Sequence, residues 1–257
     1  VRLVLANVNG VRAALRRGGL AWLAAADADI ITLQEVRATE DQLAKTLAEG
    51  GLGDYHWALS AHPQLGRAGV AVLSRTPLDD VRTVLPGGAD DAGRWIEADT
   101  AGVVVASTYV HTGEESDALR QGQKYAFLDA IARRMGELAG EAVITGDFNI
   151  AHHEVDIKNW RGNVKKAGFL PQERAYFDRW LEAGWVDLGR AFGGDGPGPY
   201  TWWSWRGKAF DNDTGWRIDY ALATSGLAGR VRDVRIGRAD TYAQRWSDHA
   251  PVVVDWD

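Results

Sequence analysis

Short apolar runs recur along this chain, and most of them end in polar side chains. Leu3-Val4-Leu5 leads to Asn7 and Asn9, and Ile30-Ile31-Thr32-Leu33 leads to Gln34 and Glu35. Val103-Val104-Val105 continues through Ser107 and Thr108 to Tyr109 and His111, and Ala142-Val143-Ile144 stops at Gly146 before Asp147 and Asn149. The run 218–222 carries Asp219 within it, and Ser247-Asp248-His249 stands just ahead of Pro251-Val252-Val253-Val254. Such runs read as buried strands. Residues two apart in an extended chain share a face, so Asp147 and Asn149 can address one ligand. Acids and amides in buried strands need partners. Six strands that each deliver polar groups at one end predict a single site assembled along the ends of a sheet.

Between the strands the period changes to that of helices. Leu20 and Leu23 accompany the alanine-rich stretch 21–26, and Leu43 and Leu47 sit four apart before Gly50-Gly51. Leu128, Ile131, Met135 and Leu138 form one helical face that stops at Gly140, with Ser116 or Asp117 as its N-cap. Pro171 suits the first turn of a helix that buries Tyr176, Phe177, Trp180 and Leu181 and stops at Gly184. Stretches 69–73, 94–98 and 103–110 read as β-structure. The loops 86–93 and 193–199 are rich in glycine, proline and aspartate, but neither has the composition of a linker between independent domains. The pattern predicts one mixed α/β domain over residues 1–257, with two packed sheets and outer helices.

Composition narrows the function. With 46% hydrophobic residues and 12 tryptophans, a chain of 257 residues can bury a sizeable core. No apolar stretch approaches the roughly 20 residues of a membrane span, and the first residues read as a strand, not a leader. The absence of cysteine excludes disulfides and thiolate metal sites and fits a reducing cytoplasm. A net charge of −6 argues against a nucleic-acid coat protein. It leaves room for an enzyme acting on phosphates, in which acids surround a divalent metal and a basic rim meets the substrate. Lys158, Arg161, Lys165 and Lys166 lie in a stretch without acids, and Arg12, Arg16 and Arg17 form a second basic cluster.

Several residues suggest particular chemistry. Glu35 at a strand end meets the need of a hard cation such as Mg²⁺, which takes one or two protein carboxylates and leaves the rest to water and phosphate. His152 and His153 are adjacent, and no second histidine pair accompanies them, so zinc is not expected. Asp219 inside an apolar strand calls for a partner. A carboxylate-held His249 would favour its charged form, suited to a phosphate oxygen. A serine hydrolase also uses an Asp–His pair, but the chain has no Gly-x-Ser-x-Gly turn. The run Tyr200-Thr201-Trp202-Trp203-Ser204-Trp205, with Trp216 beyond it, is unusually aromatic. Three nearly consecutive indoles cannot all point inward from one strand, so at least one is expected to face a groove and stack on a base or sugar.

Taken together, Asn7-Val8-Asn9-Gly10-Val11-Arg12, Leu33-Gln34-Glu35, Gly146-Asp147-Phe148-Asn149, Gly215-Trp216-Arg217-Ile218-Asp219-Tyr220 and Ser247-Asp248-His249 resemble the exonuclease III family of abasic-site (AP) endonucleases. The stretch from Asn163-Val164-Lys165-Lys166 through Arg174 is similar to that family's DNA-facing segment and the helix after it. The resemblance runs in order over essentially the whole chain, although Gly-Asp-x-Asn and Ser-Asp-His also occur across the wider DNase I-like superfamily. It implies a four-layer α/β sandwich, with two mixed β-sheets face to face and helices outside. It implies Mg²⁺- or Mn²⁺-dependent cleavage of double-stranded DNA, 5′ to an abasic site or from a 3′ end, by a cytoplasmic monomer acting on abasic or 3′-blocked duplex.

By position in the resemblance, Glu35 holds the metal with Asn7 nearby, and Asp248 supports it through water. Asp147 orients or deprotonates the attacking water, and Asn149 positions that water or the phosphate. Tyr109 binds phosphate or assists the leaving group, while His249, steadied by Asp219, stabilises transition-state charge. Arg12, Asn163, Lys165, Lys166, Trp202 and Trp216 fall at DNA-facing positions. The chain departs from the family in carrying Val110-His111-Thr112 where a proline and an amide are usual, and in Trp202 where the human-type enzymes have phenylalanine. A superfamily cousin acting on lipid or inositol phosphates would keep Glu35, Asp147 and His249, but has no use for Trp202, Trp216 and the basic segment together. A catalytically inactive binding module would show losses among the catalytic positions, and none is lost.

Overall fold

The computed structural model describes residues 1–87 and 92–257; the middle of the glycine- and proline-rich stretch 86–93 lies outside the described residues. Among the described residues twelve strands are formed: β1 (Arg2–Asn7), β2 (Ile30–Gln34), β3 (His56–Ser60), β4 (Val70–Ser74), β5 (Asp79–Arg82), β6 (Trp95–Thr100), β7 (Val103–Tyr109), β8 (Ala142–Asp147), β9 (Trp185–Asp187), β10 (Asp219–Thr224), β11 (Val231–Ile236) and β12 (Val252–Trp256). The helices are α1 (Val11–Arg16), α2 (Gly19–Ala25), α3 (Glu40–Glu49), α4 (Ala118–Glu137), α5 (Trp160–Asn163), α6 (Pro171–Glu182), α7 (Leu188–Gly193) and α8 (Ser225–Ala228). One six-stranded sheet has the order β11-β12-β1-β2-β4-β3, and the other has the order β5-β6-β7-β8-β10-β9. The first sheet is therefore built from both ends of the chain and the second from its middle.

Strand alternation explains the layering. Leu3 and Leu5 face the second sheet and join Ile30, Val105, Val143, Ala221 and Val254 in the core between the sheets. Val4 and Ala6 face the other way and pack under α1, α2 and α3 with Leu20, Leu23, Leu43 and Leu47. Likewise Val143 points inward, whereas Ala142 and Ile144 meet Phe127, Leu128 and Ile131 of α4 and Phe177 and Trp180 of α6. The result is helix, sheet, sheet, helix: the four-layer sandwich.

Helices α4 and α6 begin where the sequence places their starts, and α3 adds a cap of its own. Asp117 caps α4 by accepting from the backbone N–H groups of Leu119 and Arg120, and Thr39 and Gln42 close a reciprocal capping box on α3. Pro171 opens α6.

Four strands escape the apolar-run criterion. The residues of β5, Asp-Asp-Val-Arg, are exposed throughout, and β9 spans only three residues. Strands β3 and β11 lie at the edges of the first sheet, where one face meets solvent and polar residues interrupt the pattern.

Candidate active site

Strands β1 and β2 run parallel, as do β7 and β8, while β12 is antiparallel to β1 and β10 to β8. The ends of β1, β2, β7 and β8 therefore share one rim of the sandwich with the starts of β10 and β12. Along the inner face the residues change in a regular way toward that rim. Val143 gives way to Thr145 and then Asp147 on β8, Val105 to Ser107 and Tyr109 on β7, and Leu5 to Asn7 on β1. The hydroxyl layer is satisfied across the sheets, with Thr32 Oγ1 2.7 Å from Thr145 Oγ1 and Gln34 Nε2 donating to Ser107 Oγ at 2.9 Å. Above this layer the polar groups of all six strands meet, as the sequence pattern predicts.

Asn7 lies at the centre, almost fully buried. Its Nδ2 donates to Glu35 Oε1 at 2.9 Å and to Asp147 Oδ2 at 3.0 Å, and its Oδ1 accepts from the backbone N–H of Asn9. Asn7 thus holds the two carboxylates together and presents N–H, not oxygen, toward them. Asp147 Oδ1 accepts from the backbone N–H of Asn149 at 2.9 Å, and Asn149 Nδ2 donates to Val110 O. Gly146 precedes Asp147 for a steric reason: a Cβ there would lie 1.9 Å from Thr108 O on β7.

His249 Nδ1 lies 2.8 Å from Asp219 Oδ2, and its Nε2 lies 3.7 Å from Asp147 Oδ2. Burial alone would lower the His249 pKa, but the Asp219 carboxylate, helped by Asp147 and Asp248, outweighs it and raises the pKa to about 10. The ring is an imidazolium at neutral pH. Burial pushes the Asp147 carboxyl upward; His249 opposes that shift, and the Asp219 and Glu35 charges add to it. Burial first, then Glu35 and Asp147, raise the Tyr109 hydroxyl, so it remains a neutral phenol able to donate.

These groups open into a cavity of about 290 Å³ whose far wall is aromatic and backbone: Trp202, Trp216, Thr112, Ala167 and Gly168. Trp202 and Trp216 meet edge to face with centroids 6.2 Å apart, and isolated backbone bridges join Trp202 to both Trp216 and His249. Trp202 Nε1 donates to Asp248 Oδ2, whose other oxygen accepts from Asn9 Nδ2 at 2.7 Å. Asp248 is therefore held by an indole and an amide at the cavity edge. Of the consecutive indoles, Trp203 is buried with Phe210 and Tyr200 in a separate cluster, while Trp202 turns to the cavity.

The DNA-facing candidates are less uniform. Arg12, Lys165 and Lys166 are exposed and Asn163 half-buried. Asn163 Nδ2 is tied back to Asn159 O. The basic segment has no acid in its own sequence, but the fold supplies one: Lys166 Nζ lies 2.8 Å from Glu115 Oε1.

Sequence reasoning passed over three residues. Arg37 lines the cavity and pairs with Glu35. Lys124 is fully buried beneath the loop that carries Asn149. Arg217, also buried, clamps Asp156 and Asp187 with four hydrogen bonds beside Trp216 and Asp219.

Ligand atoms of Glu35, Asp147 and His249 all lie within 4.8 Å of one another, the only such group found among the described residues. His249 Nδ1 is turned to Asp219, so Nε2 is the ring atom that faces Asp147. Beside it stand two carboxylates at an open cavity, and the set fits a divalent metal ion. The rings of His152 and His153 lie tilted against each other with centroids 3.7 Å apart, and His152 Nε2 is 2.7 Å from Asp178 Oδ1.

Paired carboxylates, an imidazolium and a neutral phenol around one cavity define a site for hydrolysing anionic esters. The chain belongs to the endonuclease/exonuclease/phosphatase family, whose sequence model matches residues 4–249. It is 36% identical over 257 residues to an exodeoxyribonuclease of Bacillus subtilis (strain 168), covering 98% of each chain. It is 33% identical to the DNA repair nuclease APEX1 of Danio rerio, covering 96% of this chain and 79% of that one. Among solved structures, an AP endonuclease from Archaeoglobus fulgidus superposes with a TM-score of 0.91 at 29% identity, covering 100% of this chain and 99% of the other.

Proposed function

We infer that this chain is a metal-dependent DNA phosphodiesterase of base-excision repair, cutting double-stranded DNA 5′ to abasic sites and trimming 3′ ends. The observation that carries this reading is the combination of an intact hydrolytic set with a cavity walled by Trp202 and Trp216. The activities named for its relatives, exodeoxyribonuclease and DNA repair nuclease, support DNA as the substrate. A lipid- or inositol-phosphate hydrolase has no evident use for the two indoles. No helix among the described residues is long and apolar enough to cross a membrane. The protein is read as a monomer acting in the cytoplasm, at the bacterial nucleoid.

In the reaction, Asp147 takes the proton of the attacking water while Asn149 and the Asn7 amide hold the carboxylate in place. The His249 imidazolium, fixed by Asp219, faces the same reaction space and stabilises the growing negative charge on the phosphate oxygens. Tyr109, a neutral phenol, donates to a phosphate oxygen or to the 3′-oxygen as the P–O3′ bond breaks. A Mg²⁺ or Mn²⁺ ion held by Glu35 would supply Lewis-acid stabilisation of the phosphate, with Asp248 supporting it through water. Trp202 and Trp216 shape a pocket for a sugar without its base, and Arg12, Asn163, Lys165 and Lys166 approach the backbone on either side.

The test is a labelled duplex carrying one abasic analogue, incubated with Mg²⁺, Mn²⁺ or EDTA. A single cut 5′ to the analogue that EDTA abolishes is the expected result. Metal-independent cleavage, or none with either ion, refutes the reading.

A further inference from the structure

Among the described residues, three carboxylates (Glu35, Asp147 and Asp248), His249 and the Arg37 guanidinium face the cavity. The mechanism above uses every one of these except Arg37. The Arg37 guanidinium donates to Glu35 Oε2, the oxygen that Asn7 leaves open. The backbone that carries it is fixed, because the N–H groups of Val36 and Arg37 donate to Gly69 O and Ala68 O at 2.9 Å. Glu35 and Arg37 both adopt left-handed backbone, with φ of 50° and 52°, a conformation that costs free energy in residues other than glycine and aims both side chains at one place. The side chains differ in freedom: Arg37 is 39% exposed and Glu35 10%. One partner is anchored and the other can move.

A divalent cation at Glu35 and the guanidinium compete for the same oxygen and repel each other. A guanidinium remains charged at any working pH and matches two oxygens of a phosphate as well as it matches a carboxylate. We propose that Arg37 is an exchangeable cation of the active site, neutralising Glu35 in the free protein and transferring to a phosphate of the bound DNA strand when metal takes its place. This rests on the functional reading above for its DNA partner, but not for the Glu35 exchange. Metal and DNA each favour the released arginine, so each strengthens binding of the other through it.

The test measures binding and needs no turnover. Mn²⁺ is titrated calorimetrically into the DNA-free protein and into Arg37→Ala. The variant is expected to bind Mn²⁺ about twofold to fivefold more tightly, the range for losing a partly exposed ion pair's competition. Equal or weaker binding overturns the exchange. In the second arm, the probe is a fluorescent duplex with a tetrahydrofuran abasic analogue and a methylenephosphonate at the scissile position. Mn²⁺ should tighten its binding to the wild type, the gain should shrink about tenfold in Arg37→Ala, and Arg37→Lys should recover part of it. The same gain in Arg37→Ala as in wild type overturns the transfer to phosphate. A purely structural role for Arg37 would weaken metal and duplex binding together, whereas exchange moves them in opposite directions. A wild type that binds Mn²⁺ but no duplex refutes the DNA reading, and the calorimetric arm still decides the exchange.

Discussion

Lys124 Nζ lies 2.8 Å from Glu173 Oε1, and neither side chain reaches solvent. The same ammonium donates to Thr112 O at 3.0 Å and Asn149 O at 2.9 Å, while Glu173 Oε2 accepts from the N–H groups of Gly168 and Leu170. One buried ion pair thus anchors three backbone segments that line the cavity, from helices α4 and α6 behind it. Burial lowers the Lys124 pKa even with Glu173 alongside, a sign of how costly the charge is there. Lys124→Met should destabilise the fold by about 3–5 kcal/mol, because it leaves the Glu173 charge buried without its partner. Urea unfolding measures this. Lys124→Met combined with Glu173→Gln should recover part of the loss, and a single variant as stable as wild type would contradict the arrangement.

Glu35 and Asp147 share a bridging amide but have different expected roles. Glu35→Ala should weaken metal affinity, so that raising Mg²⁺ restores part of the rate. Asp147→Asn should leave duplex binding largely intact while cutting turnover by about two orders of magnitude or more, the scale of losing a general base. Steady-state rates across a Mg²⁺ series separate the two, and near-normal turnover in Asp147→Asn would remove it from the chemistry.

The Asp219–His249 pair sets a pH dependence with a definite sign. The folded-state pKa of about 10 lies above the ordinary histidine value of 6.5, so the pair's stability is fully present below 6.5 and is lost as pH rises through 10. The upward shift of Asp147 acts in the same direction. Thermal melts of the metal-free protein should therefore fall between pH 6.5 and 10. In Asp219→Asn the main cause of the upward shift is gone, and the His249 imidazole resonance should titrate well below 10 by NMR. A midpoint still near 10 would assign the charge to another cause.

Trp216 and Trp203 make a controlled comparison. Trp203 is 1% exposed and donates to Asp213, so Trp203→Ala should cost about 3–5 kcal/mol through the cavity it leaves. Trp216 is half-buried at the cavity wall. Trp216→Ala should nearly keep the melting temperature and lose discrimination between abasic and intact duplex. Equal slowing on both substrates would count against a sugar pocket.

Replacing Lys165 and Lys166 together by alanine should weaken duplex binding whatever its sequence. The slope of log affinity against log salt should become shallower by about 1 to 2 units. Lys166 must first leave Glu115, so Glu115→Gln should tighten binding in the same fluorescence assay. An unchanged salt slope would make the segment ordinary surface.

Strand-end chemistry was legible in the sequence because inner-face alternation forces polar residues at one rim, and Asn7, Asp147 and Asp219 follow that rule. Arg37 lies outside that rule, because it stands beyond the end of β2 where Glu35 and Arg37 both have left-handed backbone. Lys124 also left a signal. It precedes Leu128 by four residues, on the apolar face of α4, where a charge must find a buried partner. Its partner, Glu173, lies on a different helix, and nothing local indicates it. Glu115 beside Lys166 and the double clamp on Arg217 were hidden for the same reason, since both join segments far apart in the chain. The edge strands β3 and β5 were missed because exposed edges carry little hydrophobic signal.

The placement of the two sheets along the chain has a consequence for synthesis. Asp147, Tyr109 and Asp219 sit on the sheet made from the middle of the chain, whereas Asn7, Glu35 and His249 belong to the sheet made from its two ends. The second sheet can close on the ribosome while the first still waits for β12. Until His249 is made, Asp219 has no imidazole to hold. No contiguous segment shorter than 7–249 contains all six groups, so a chain that stops before His249 has no complete site with which to damage the genome that encodes it.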